Sequence, residues 1–118
     1  MSTQEIANRL AALCRAGEYE TVYEELFDKE NVLSVEPNGG PNSIVKGVPA
    51  IKEKGAAFNK TLEAFHSSYV SDPLVAGNSF SLAMGLEATF SDKGRVKMDE
   101  ICVYEVKNGK IVKEQFFF

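Results

Sequence analysis

The feature that most constrains this chain is a change of period near residue 62: apolar side chains recur three and four apart before it and alternate after it. In "TQEIANRLAALCRA", residues 3 to 16, Ile6, Leu10, Leu13 and Cys14 share one helical face, with Ser2 or Thr3 as N-cap and Gly17 as a stop. Tyr19, Val22, Tyr23, Leu26 and Phe27 repeat that spacing until the polar "DKEN" ends it. A third helix is predicted to begin near Val48, where Pro49 suits the first turn and Ile51, Gly55, Phe58 and Leu62 fall on one face. Between the second and third helices lie a short strand, 31 to 36, and "PNGGPNS", which is too rich in turn formers to hold regular structure.

Beyond the change of period, turn signals at "SDP", "AGNS", "SDKG" and "KNGK" separate alternating runs. Asn108-Gly109, between "EICVYEV" and "KIVKEQFFF", is a strong hairpin signature. Helices first and a strand meander last predict an α+β fold with one sheet wrapped against the helices. At 118 residues, one domain spanning 1–118 is expected.

Alternation also assigns faces. Phe80, Leu82, Met84, Leu86 and Phe90 share the side turned toward the helices. Met98, Glu100, Cys102, Tyr104 and Val106 form one face of the next run, and Val112, Glu114, Phe116 and Phe118 one face of the last. The opposite face then shows Ile101, Val103 and Phe117, a patch that monomers usually avoid, so a homodimer through the outer sheet face is expected.

Charge and composition exclude several partners. With a net charge of -4 and no basic stripe, nucleic acid is not an expected partner. No apolar run approaches the ~20 residues of a membrane span, and "MSTQEIANRL" lacks the pattern of a signal peptide, so a cytoplasmic protein is expected. Cys14 and Cys102 read as two buried free thiols. One histidine and no clustered cysteines give a zinc site little to build on, and neither a metal nor an organic cofactor is expected.

The segments "AGEYETVYEELFDKENVLSVEP", "KGVPAIKEKGAAF" and "DEICVYEVKNGKIVKEQFFF" together resemble the nuclear transport factor 2-like superfamily, which includes ketosteroid isomerase and the SnoaL-like polyketide cyclases. The ending "VYEVKNGKIVKEQFFF" is especially similar to a SnoaL-like subfamily. This resemblance implies a cone-shaped fold, three N-terminal helices on a curved, mixed, mostly antiparallel sheet, around an enclosed pocket. It also puts Glu36, directly before Pro37, where the isomerase branch keeps its general base. The Tyr and protonated Asp that hold the oxyanion in that branch fall at Leu10 and Cys102, so both donors are missing. An enolate would lose about 3 kcal/mol or more per donor, which argues against ordinary steroid isomerisation.

Other polar groups on inward registers are expected to complete a different site. Glu36, His66 and Glu100 are the candidate catalytic residues, with Glu114 pointing into the same space. Tyr19, Tyr23, Phe58, Phe80, Met84, Cys102 and Phe116 are the candidate ligand wall. The sharpest expectation is an enzyme acting on a small, partly apolar carbonyl compound. Glu36 would remove an α-proton, while His66 and a protonated Glu100 hold or reprotonate the oxygen. A cavity that binds without chemistry, and a dimeric structural domain, remain open at this level.

Overall fold

The computed structural model describes all 118 residues, Met1–Phe118. Helix α1, Thr3–Arg15, opens with a capping box. The Glu5 N–H donates to Ser2 Oγ at 3.1 Å and the Ser2 N–H donates to Glu5 Oε1 at 2.8 Å. Gly17, at φ 72°, reverses the chain into α2, Tyr19–Glu25. Helix α3, Val48–Asn59, follows Gly47 at φ 87°, with proline in its first turn. It ends before Leu62, which joins a strand and not the helix face expected from its spacing.

The strands are β1 Leu33–Val35, β2 Ile44–Lys46, β3 Leu62–Val70, β4 Leu74–Ala76, β5 Ser79–Phe90, β6 Gly94–Lys107 and β7 Lys110–Phe117. Their order is β2-β1-β7-β6-β5-β3, with β4 beside β5. All pairings are antiparallel except β1 with β7, so the sheet is mixed. Strand β2 comes directly after the turn-rich "PNGGPNS" stretch, and it pairs antiparallel with β1 through Val35 and Ile44.

The three helices cover one face of the sheet. Ile6 and Leu10 of α1, Val22 of α2 and Ile51 of α3 meet Phe80, Leu82, Cys102, Tyr104 and Ile111 in one buried cluster. Each large apolar side chain taken from water there contributes about 1.5–3 kcal/mol.

Two irregularities reset the alternation. Glu105 pairs with Lys113 but Val106 pairs with Ile111, so Val112 is an extra residue in β7. The bulge sends Ile111, fully buried, to the helix side, where simple alternation had put Val112. Strand β3 shifts register twice, between Leu62 and Ala64 and between Phe65 and Ser67. On the face away from the helices, Gly85 lies beneath the ring of its register partner Tyr69, which donates a 2.7 Å hydrogen bond to Asp99. Ile101 and Phe117, also register partners, are 47% and 48% exposed.

Candidate functional site

Between the helices and the covered face lies an open cavity of about 420 Å³. Ser34 and Glu36 reach it from β1 and its end, Lys54 and Phe58 from α3, and Tyr19 and Tyr23 from α2. Met84 enters from β5, Glu100 and Tyr104 from β6, and Glu114 and Phe116 from β7. A second recess of similar size is lined by Asp28, Asn31, Lys107, Asn108, Lys110 and Val112, and gathers a single carboxylate.

Glu36 is fixed by its backbone. Its N–H donates to the Ser43 carbonyl at 2.7 Å, and the adjoining Pro37 favours an extended direction. The side chain meets the cation of α3: Lys54 Nζ lies 2.9 Å from Glu36 Oε1. The pair is about three-quarters withdrawn from solvent, so its attraction is less screened than that of the surface pairs Arg15–Asp72 or Lys29–Glu24.

Glu114 is the most buried carboxyl, at 7% exposure. It faces Ser34 across the parallel β1–β7 ladder and Tyr104 across the β6–β7 ladder. Burial pushes its pKa up to about 7, and the charges of Glu100 and Glu36 add to that push. Ser34 and Lys54 pull the other way. The Ser34 hydroxyl comes near enough to favour the ionised carboxylate, but no atom meets it in good hydrogen-bond geometry.

Glu100 pairs with Met84 across β5–β6. Burial raises its carboxyl above the ordinary range; the Cys102 thiol, 3.6 Å from Oε1, lowers it and the Glu36 charge raises it. The neutral wall behaves as expected of buried phenols and thiols. Burial raises Tyr19, takes Tyr23 to about 12 and Cys14 to about 11, and holds Tyr104 well above the usual phenol value.

Of the residues singled out in the sequence, Glu36, Glu100, Glu114, Tyr19, Tyr23, Phe58, Met84 and Phe116 line this cavity. Three do not. His66 is exposed, with Nε2 2.8 Å from Thr89 Oγ1, because the second register shift in β3 breaks the parity that had pointed it inward. Phe80, 2% exposed, is core: it stacks on Tyr104 at 4.9 Å between centroids. Cys102 is fully buried behind Glu100 and does not reach the cavity.

Sequence reasoning missed Lys54, Ser34 and Tyr104 as wall residues. Lys54 had a signal: it stands three residues after Ile51 and four before Phe58, a cation on an otherwise apolar helical face. No group of three or more His, Cys, Asp or Glu side chains is arranged to hold a metal ion. No helix is long and apolar enough to cross a membrane.

The whole chain, residues 1–118, matches the family described as the SnoaL-like domain. This chain belongs to the SnoaL-like family. The SnoaL-like chain is 32% identical to a Mesorhizobium loti protein described as a SnoaL-like polyketide cyclase, covering 100% of both chains with a TM-score of 0.91. A nuclear transport factor 2-like protein of Burkholderia thailandensis has its fold at 14% identity, with a TM-score of 0.81 over 99% of this chain and 90% of that one. TerC, co-crystallised with polyporic acid, shares the fold at 21% identity, with a TM-score of 0.71 over 99% of this chain and 92% of that one. A search of curated proteins found no match.

Proposed function

We propose that this SnoaL-like protein binds a small, partly apolar carbonyl compound in the cavity and moves a proton on it by acid–base chemistry. One observation carries this: Glu36, Glu100 and Glu114 converge with a single cation, Lys54, on a space otherwise walled by aromatic and aliphatic side chains. Glu36, in ionic contact with Lys54, is the base. It takes the α-proton, the C–H electron pair forms the new C=C bond, and the carbonyl oxygen takes the proton of neutral Glu114, giving the enol. A pKa near 7 suits Glu114 to give and recover a proton at neutral pH. Return of a proton at another carbon completes an isomerisation; attack by the enol on a second carbonyl completes a ring closure. Leu10, a cavity wall residue, and Cys102, behind it, keep the usual oxyanion donors of the isomerase branch out of this scheme.

The test is proton abstraction from 5-nitrobenzisoxazole, whose ring opening by a base releases a coloured phenolate. Saturable turnover is expected, falling about 100-fold or more in Glu36→Gln. A wild-type rate no greater than that of free acetate, or a Glu36→Gln variant as fast as wild type, sinks the assignment. Binding without chemistry has one observation in its favour, since the Lys54–Glu36 pair occupies the proposed base. Saturable binding of the same compound with no phenolate released would select it.

We also propose a homodimer through the outer sheet face, supported by the exposure of Ile101 and Phe117 beside Val103. Sedimentation should show a dimer for the wild type and a monomer for Ile101→Glu. A monomeric wild type at micromolar concentration would reject it.

A further inference from the structure

Two polar atoms in the cavity are buried and lack a hydrogen-bond partner: Ser34 Oγ, on a residue 1% exposed, and Lys54 Nζ. The ammonium is in ionic contact with Glu36 at 2.9 Å, but not at an angle that makes a hydrogen bond. Buried polar groups are nearly always paired, so two orphans lining one cavity, one from β1 and one from α3, indicate a group that the ligand itself brings. Both can donate, an ammonium has no acceptor capacity, and the complementary group is therefore an oxygen acceptor, best a charged one.

From these two atoms we infer that the ligand is an amphipathic acid, an apolar body carrying one carboxylate or enolate oxygen that Lys54 Nζ and the Ser34 hydroxyl hold. This rests on the reading of the cavity as a ligand site, and it adds the ligand's charge and orientation. The aromatic side chains of Tyr19, Tyr23, Phe58 and Phe116 take the body. Three carboxyls share the space, yet the balance does not oppose an anion. Glu36 is matched by Lys54, while burial favours the neutral forms of Glu100 and Glu114. The remaining groups around Glu114, namely Cys14, Tyr23, Cys102 and Tyr104, are held neutral because burial raises them all. An anion beside Glu114 further favours its protonated form, so affinity for the acid falls as pH rises through about 7 and Glu114 ionises.

The test compares 2-naphthoate with its neutral isostere 2-naphthamide by calorimetric titration of the full chain at about pH 6 and about pH 9. At the lower pH naphthoate should bind about tenfold tighter or more, a preference typical of a charge-assisted hydrogen bond. It should be lost in Lys54→Met, weakened in Ser34→Ala, which changes no charge, and kept in Lys54→Arg. Naphthamide affinity should not depend on pH, and naphthoate affinity should drop at about pH 9. Equal affinity for the two compounds overturns the inference while leaving proton transfer on 5-nitrobenzisoxazole standing. A preference that survives both Lys54→Met and Ser34→Ala overturns it equally, by placing the anion elsewhere. Failure of both compounds to bind overturns it together with the reading of the cavity as a ligand site.

Discussion

Replacing Glu114 with glutamine should remove a pH-dependent loss of stability. Burial holds this carboxyl at about 7 against an ordinary 4.5, a difference of about 2.5 that corresponds to about 3 kcal/mol at roughly 1.4 kcal/mol for each. Because the folded pKa is the higher one, the folded protein binds more protons than the unfolded chain between the two values. Stability therefore falls as pH rises from 4.5 to about 7, with no loss from this group below that window and the full loss above it. Carboxylates held low by Arg9, Lys29 or Arg95, such as Glu25, Glu24 and Glu87, slope the opposite way and obscure the effect in the wild type alone. They cancel in the difference between wild type and Glu114→Gln, because neither protein alters them. Urea unfolding at about pH 5 and about pH 8 should show Glu114→Gln gaining about 2–3 kcal/mol relative to wild type across that interval. Parallel stability profiles for the two proteins would refute the burial of an ionisable carboxyl at this position.

Other side chains give sharper structural tests. A Cβ at Gly85 would sit 1.8 Å from the Tyr69 ring, so Gly85→Ala must displace that ring from its bond to Asp99 and should cost about 1–3 kcal/mol. In a Tyr69→Ala background the same change should cost much less, and additive effects in the double mutant would count against the packing described. Phe80→Ala should cost about 3–5 kcal/mol in thermal or urea unfolding, as expected of a fully packed aromatic stacked on Tyr104. Phe58→Ala, at the half-exposed mouth of the cavity, should cost less stability and weaken binding of 2-naphthamide; the reverse ranking would show that core and wall have been confused.

The strands were legible where they are long. Along β5 the structure puts Phe80 and Leu82 in the helix-side core, Met84 in the cavity wall and Phe90 edge-on against Phe58 of α3, as the alternation predicts. The family resemblance implied a mixed sheet but not which strands run parallel; the pairing of β1 with β7 is a finding of the structure, since three residues of β1 carry no period of their own. Strand β2 was invisible for the same reason: "IVK" between a turn and Gly47 is too short to alternate. His66 and Val112 were misplaced because a bulge leaves no mark in hydrophobic period, yet each bulge reverses the facing of the residues beyond it. Glu100 and Glu114 came out on the predicted side because no register shift lies between them and the long ladders that fix their facing, whereas Glu36, just past the end of β1, was placed by the family resemblance. Lys54 was missed through attention to apolar periodicity, when its departure from that periodicity was the informative feature.

The most direct measurement is a carbon-13 NMR titration of the glutamate side-chain carboxyls, which reads the proton on each acid without needing a substrate. The proposed acid–base cavity predicts one carboxyl titrating near pH 7, absent from the spectrum of Glu114→Gln, with a second, Glu100, above the ordinary carboxylate range. All carboxyls titrating at ordinary values would contradict it, because no acid in the cavity would then be poised to exchange a proton near neutrality.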